Sequence, residues 1–223
     1  MSTYNLELLE NGYSIIPDIY SDKEIVQLIN CIDSNQKIDE FHSKSKEIFA
    51  IRQLLNSIPE LKNIIFNKSL IALLSNVFEE NFFLTKAIYF DKPKESNWFV
   101  AHHQDLSISV NEKVEIEGYK NWTFKKGQHG VQPPIEILEN TITIRIHLDD
   151  TEKNNGALKV ITSSHLNGVV RTDSETVNRE DEKYCEVKQG GVMLMKPLLF
   201  HASNRSENNK RRRVIHLEFN SIP

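Results

Sequence analysis

Cysteine is scarce in this chain. Two of its 223 residues, Cys31 and Cys185, carry thiols, and they stand far apart at no metal-binding spacing. A disulfide framework is thereby excluded, and reduced thiols in a cytoplasmic setting are the expectation. Basic residues are not in excess. With 27 Lys and Arg against 31 Asp and Glu, the formal net charge is −4, which argues against a general nucleic-acid binder. No apolar run nears the roughly 20 residues that a membrane-spanning helix needs. The opening MSTYNLELLENGY lacks a basic stretch leading into an apolar one, so no secretory leader is expected. Internal repeats and low-complexity segments are also missing. What remains is a chain of single-domain length, with 39% hydrophobic residues to build a core.

The periodicity changes near residue 80. Before it, the spacing predicts a helix over 4–11 ended by Gly12, then a strand Tyr13–Ile16 closed by Pro17. Ser21 and Glu24 form a capping-box pattern that opens a helix burying Ile25, Leu28, Ile29 and Ile32. After a polar loop at 33–46, Ile48, Ile51, Leu54 and Leu55 keep helical spacing, and Leu61 to Val77 continue it. After residue 80, strands are expected at Phe82–Leu84, Ala87–Phe90, Thr141–Asp149, Leu158–Ile161, Val192–Met195 and Arg211–Phe219. Asn155-Gly156 is a turn signal. The stretch 106–138 carries Gly118, Gly127, Gly130 and Pro133-Pro134 and is expected to be a long functional loop, a candidate lid. Charged residues 171–183 are expected to be another loop. The expected architecture is α+β. A mainly helical cap over 1–80 packs on an all-β sandwich or barrel over 81–223, the whole forming one domain.

Chemistry concentrates after Asn97-Trp98-Phe99. His103 and Asp105 form a His-x-Asp pair, and on an extended chain residues two apart point to the same side. Two imidazoles and one carboxylate on one face of an octahedron leave the opposite face open, the arrangement of non-haem Fe(II) oxygenases. The pair alone is a weak signal. With 8 His and 31 acidic residues, about one such pair arises by chance, and His147/Asp149 and His216/Glu218 are two more. His102 faces away from Asp105 on a strand and is assigned a supporting role. His201 is a better-supported distant partner. It follows a Gly-Gly, strand, Pro pattern, and Lys210 to Arg213 come about ten residues later. An arginine on the strand after a metal-bound histidine suits a dicarboxylate, whose free end it meets as a bidentate pair. Arg212 and Arg213 both qualify, and a solvated charge run is the bland alternative.

These motifs occur in an order that resembles the phytanoyl-CoA dioxygenase-like family of Fe(II)/2-oxoglutarate-dependent oxygenases. The resemblance runs through Asn11-Gly12-Tyr13, Phe90-Asp91-Lys92, Asn97-Trp98, His103-Gln104-Asp105 and Val131-Gln132-Pro133-Pro134. It continues through Arg145-Ile146-His147-Leu148-Asp149-Asp150, Asn155-Gly156-Ala157-Leu158, Ser164-His165, His201-Ala202-Ser203 and Arg212 to His216. It implies a double-stranded β-helix (jelly-roll, cupin-like core). It also implies Fe(II) on His103, Asp105 and His201, and 2-oxoglutarate on Arg212 with help from Ser203. O2 is the further cosubstrate, and hydroxylation of a small molecule with release of succinate and CO2 is the expected reaction. His147 and Asp149 become pocket-lining or structural groups. The family's halogenases lack the metal-binding Asp, which is present here as Asp105. Gln132, Arg145 and Trp98 are the expected substrate or cosubstrate contacts, and neither nucleic acid nor membrane is an expected partner. A cupin-type metalloenzyme without 2-oxoglutarate would not need the arginine. A non-catalytic binding module would be expected to have lost part of the set.

Overall fold

The computed structural model describes residues 2–35, 49–78, 81–93, 99–125, 127–170, 180, 182–208 and 210–221. Its larger sheet has six antiparallel strands in spatial order β1 (Tyr13–Ile16), β11 (Val192–Met195), β8 (Ile142–His147), β13 (Arg212–Asn220), β3 (Phe83–Lys92) and β2 (Phe49–Arg52). The facing sheet runs β10 (Glu182–Cys185), β9 (Leu158–Ile161), β12 (His201–Ser203) and β4 (Val100–His103). Together they form the expected double-stranded β-helix.

Strand periodicity assigns the two faces of the larger sheet. On β8, Ile142, Ile144 and Ile146 join Ile215, Leu217 and Phe219 of β13 in the largest core cluster. The helices supply the other half of that cluster, with Ile25, Leu28 and Ile32 from α2 (Asp22–Asn35) and Leu70 and Leu74 from α5 (Lys68–Phe78). Full burial of each such side chain contributes about 1.5–3 kcal/mol. The opposite face of β8 carries Thr143, Arg145 and His147, yet all six residues of the strand are buried. A buried polar face is the informative departure from an ordinary core. Between the sheets, Leu158, Val160, Met193, Met195 and Leu199 form a second apolar cluster beside it.

The N-terminal helix α1 (Thr3–Asn11) is stitched to the segment that follows β9. Its last carbonyls accept hydrogen bonds: Leu9 from His165 Nε2 at 3.0 Å, Glu10 from Ser163 Oγ at 2.7 Å, and Asn11 from the Ser163 amide at 2.9 Å. These donors satisfy carbonyls that a helix end leaves open. Gly12 follows at φ +82°, and a Cβ there would lie 2.5 Å from His165 Nδ1 and 2.8 Å from Leu199 Cδ1. The same segment reaches the site, since Ser164 Oγ accepts from the Phe200 amide at 2.9 Å, one residue before His201.

Several elements depart from expectation. Residues 49–52 form edge strand β2 rather than a helix. They pair with β3 from Phe49 opposite Asp91 to Arg52 opposite Ile88, and helix resumes as α3 (Leu54–Ser57) and α4 (Leu61–Ile65). Sheet pairing here overrides a helical apolar spacing. The expected loop 106–138 contains a third antiparallel sheet, with β7 (Gln128–Gln132) between β5 (Ile108–Val110) and β6 (Lys120–Lys125), followed by helix α6 (Ile135–Glu139). Within the expected loop 171–183, residues 171–179 lie outside the described residues, and β10 begins at Glu182. Asn155-Gly156 turns the chain from one sheet to the other. It does so through a short 3-10 turn in which Asn155 Oδ1 accepts from the Glu152 amide at 2.7 Å.

Candidate active site

β4 and β12 lie side by side and antiparallel, with His103 directly opposite His201. Their ring centroids are 4.3 Å apart. The register of this pair shifts between His201 and Ser203, an irregularity of the kind that re-aims side chains beside active sites. Asp105 lies just past the end of β4, with its amide donating to Pro197 O at 2.9 Å. Gln104 clamps the same turn. Its Nε2 donates to Leu198 O at 2.6 Å and Gly168 O at 2.8 Å, and its Oε1 accepts from the Val170 amide at 2.9 Å.

Each histidine donates one nitrogen to the backbone carbonyl two residues before it. His103 Nδ1 lies 2.9 Å from Ala101 O, and His201 Nδ1 lies 2.8 Å from Leu199 O. A carbonyl only accepts, so Nδ1 carries the proton and Nε2 presents its lone pair. Those lone pairs face Asp105, at 3.7 Å from His103 and 3.8 Å from His201. These distances are too long for hydrogen bonds. All three donor atoms lie within 4.8 Å of one another, close enough to share one ion. Burial pushes the His201 imidazole down to about 4 and outweighs the pull of Asp105 toward protonation. For Asp105, desolvation pushes the carboxyl up, but His201, His216, Lys86 and His103 together hold it down to about 2. His201 and Asp105 are therefore ready to bind a cation without first losing protons. The two-nitrogen, one-oxygen chemistry of the set suits Fe(II) with open positions.

His102 points away, as expected, with Nε2 2.8 Å from Glu182 and its ring stacked on Phe200. The other two histidine pairs are differently engaged. His216 faces Asp105 and Glu218 in a second group within 4.8 Å. However, its Nδ1 accepts from Arg145 Nη1 at 3.3 Å and its Nε2 donates to Glu218 at 3.0 Å, so neither nitrogen is free. Glu218 also meets Lys86 at 2.7 Å. Asp149 is taken by Arg213, which grips it with Nε at 2.9 Å and Nη2 at 2.7 Å.

Arg212, one residue earlier, faces the interior. Its Nη1 donates to Gly156 O, a carbonyl that also accepts from Ser203 Oγ at 2.9 Å. Gly156 has φ +86°, and a Cβ there would lie 2.7 Å from Lys92 Nζ, so only glycine leaves this corner open. The Nε of Arg212, the Nε of Arg145 and the Nε2 of His147 are buried with no hydrogen-bond partner among the described residues. Burial and then the Arg145 charge hold the Arg212 guanidinium down to about 9, and burial and then Arg212 hold the Lys92 amine down to about 8. Among the described residues neither Arg212 nor Arg145 has a carboxylate at ion-pair distance. Asp105 is the acid whose charge acts on Arg145, and a chelating dianion such as 2-oxoglutarate would add the carboxylate partners that both guanidinium groups lack at ion-pair distance.

A cavity of about 640 Å³ opens onto Asp105, His216 and Glu218. Gln132 lines it, with Oε1 accepting from Asn121 Nδ2 at 2.7 Å. The expected contact Trp98 lies outside the described residues. Sequence reasoning gave no role to Lys92 or Gln104, although both stand inside the quoted motifs. The roles emerge only when the chain folds back on itself, bringing Gln104 to Gly168 and Leu198, and Lys92 to Asn204 O at 2.7 Å.

The sequence profile of phytanoyl-CoA dioxygenase matches residues 8–214. No curated protein sequence matches the chain significantly. Among solved structures the chain is similar to the non-heme alpha-ketoglutarate-dependent epimerase SnoN from nogalamycin biosynthesis. Identity is 10%, the TM-score 0.71, and coverage 97% of this chain and 79% of that one. The non-heme alpha-ketoglutarate-dependent carbocyclase SnoK from the same biosynthesis gives 14% identity, a TM-score of 0.71, and coverage of 99% and 84%. HygX from Streptomyces hygroscopicus, solved with nickel, 2-oxoglutarate and hygromycin B bound, gives 16% identity, a TM-score of 0.68, and coverage of 99% and 87%. At these identities the likeness shows a shared fold.

Proposed function

The chain belongs to the phytanoyl-CoA dioxygenase family, and from that premise we propose that it hydroxylates a small polar molecule. Fe(II), 2-oxoglutarate and O2 are the cofactor and cosubstrates of that family. The observation that carries the reading is the His-Asp-His donor set together with Arg145 and Arg212 on the inner face of the larger sheet, each with a buried Nε that has no hydrogen-bond partner among the described residues. His103 and His201 offer Nε2, and Asp105 offers one carboxylate oxygen. Arg212 holds the distal carboxylate of the cosubstrate. Ser203 steadies Arg212 through their common acceptor, Gly156 O. When bound, iron and 2-oxoglutarate supply a two-electron oxidation by O2. It yields succinate and CO2, with one oxygen atom in succinate and the other in the hydroxyl of the product.

The cavity beside Asp105 takes the substrate. Its volume falls within the roughly 300–1,000 Å³ of small-molecule pockets. Asn121, Thr123, Gln128, Gln132 and Lys86 make much of its wall polar. That lining supports a substrate rich in hydrogen-bonding groups, with Gln132 as one contact. The reading is tested by oxygen-dependent succinate release with a panel of polar small molecules under 18O2. A labelled hydroxyl in the product supports hydroxylation. Succinate with an unlabelled, rearranged product replaces hydroxylation by another oxidation, and no succinate with any metal or substrate removes the 2-oxoglutarate reading altogether.

A further inference from the structure

Arg145 is buried on the inner face of β8, and among the described residues no carboxylate lies at ion-pair distance from it. A charge so placed is costly unless something neutralises it. One of its nitrogens donates to His216 Nδ1 at 3.3 Å, while its Nε has no partner. His147 stands two residues along the same face, also buried, with an unpartnered Nε2. The register sets Arg145 opposite His216 and His147 opposite Val214 on β13, so Arg212 occupies the next inner-face position beyond. The row has a direction. His216, held by Arg145, shares a 4.8 Å group with Asp105, so Arg145 stands at the metal end and Arg212 at the far end. Arg145, His147 and Arg212 do not line the 640 Å³ cavity, whereas Asp105 and His216 do. The row therefore lies outside the wall of the proposed substrate cavity.

We infer that Arg145 is a second anchor for the cosubstrate. It holds the 2-oxo acid end beside the metal while Arg212 holds the distal carboxylate, with His147 donating between them. The inference rests on the function proposed above. It gives each end of the cosubstrate its own guanidinium, and it explains why β8 buries a polar face at all.

The test uses two probes on Ni(II)-loaded protein without oxygen, read by calorimetry: 2-oxoglutarate, and 2-oxobutyrate, which keeps the 2-oxo acid end and lacks the distal carboxylate. Arg145→Gln is expected to weaken both probes by roughly ten- to hundredfold, the worth of a charge-assisted hydrogen bond. Arg212→Gln is expected to weaken 2-oxoglutarate alone. Ni(II) affinity is expected to stay unchanged in both variants, and Arg145→Lys is expected to recover part of the binding. The metal-free Arg145→Gln protein is expected to melt no lower than wild type, because glutamine removes a buried charge that has no carboxylate at ion-pair distance among the described residues. Unchanged 2-oxoglutarate affinity in Arg145→Gln, with a loss in Arg212→Gln, overturns the second anchor and leaves the proposed function standing. A lowered melting point with lost Ni(II) affinity and no recovery in Arg145→Lys also overturns it, making Arg145 a purely structural support of His216. A wild-type protein that binds no 2-oxoglutarate overturns the proposed function itself.

Discussion

Arg212 and Arg213 are chain neighbours with opposite fates. Arg213 shares a face with Ile215, Leu217 and Phe219, which the helices bury, and it closes a bidentate pair with Asp149. Arg212 shares the other face with His216 and Glu218 and ends in the site. The alternation was legible in the sequence, but which face looks inward was not. Apolar content alone favours the face of Arg213, because nothing local says that helices cover the outside of the sheet. The pair makes a sharp comparison. If Arg212 holds the cosubstrate as proposed, its loss leaves a carboxylate buried and unpaired at a cost of roughly 3–5 kcal/mol, so Arg212→Gln is expected to weaken 2-oxoglutarate about a hundredfold or more in an anaerobic titration. Arg213→Gln is expected to leave that affinity near wild type and to lose roughly 1.5–3 kcal/mol of stability in urea, since it strips charged hydrogen bonds from Asp149. The proposed ligand Asp105 and the ion-paired Asp149 separate in the same way. Asp105→Ala is expected to abolish Fe(II) binding in a metal titration, while Asp149→Ala is expected to bind the metal normally and unfold more easily.

At the scale of elements, the strands flanking the site were legible because their alternation is strict, as in β8 and β13. The misread elements are those whose residues carry no strict strand alternation of their own. β2 pairs with β3 across more than thirty residues, and its apolar spacing suits a helix equally well. The β5–β7–β6 sheet is polar on many positions and carries glycines and prolines, which read as loop until Ile108 is found opposite Val131. This sheet walls the proposed substrate cavity through Ile108, Asn121, Thr123, Gln128 and Gln132. Amide exchange over residues 108–132 is expected to slow when a turnover-competent substrate joins the anaerobic metal and 2-oxoglutarate complex. Unaltered exchange with such a substrate would make the sheet a fixed wall rather than a closing one. A second device, the α1 junction, is local and was visible as Asn11-Gly12-Tyr13, although its partner Ser163–His165 was not deducible by spacing. Gly12→Ala is expected to cost more than the roughly 1–2 kcal/mol of left-handed strain, because the added methyl also meets His165 and Leu199. Thermal melting measures the cost, and the disturbance is expected to reach His201 through Ser164 and the Phe200 amide.

For the molecule as a whole, the buried polar face sets how stability responds to acid. His147 is buried against Arg145 and Arg212, and burial followed by those two charges holds its imidazole well below the ordinary histidine value. In the unfolded chain the same imidazole takes up a proton near pH 6.5. Below that pH the unfolded state binds more protons than the folded one, so stability falls as pH falls. The loss begins near the unfolded value and continues until the folded value is passed. For one histidine that stays neutral when folded, the loss between pH 7 and pH 5 is about 2 kcal/mol. His201, held down to about 4 chiefly by burial, adds a loss of the same sign over the same window. Metal-free wild type is therefore expected to lose stability steeply from pH 7 to pH 5. His147→Gln keeps a polar group at the position but removes its proton site, so its pH dependence is expected to be shallower by about 2 kcal/mol over that interval. Urea unfolding of the two proteins at pH 7 and pH 5 measures the difference directly. Equal slopes would mean that His147 takes up its proton in the folded state as readily as in water, and that the inner face of β8 is open to solvent.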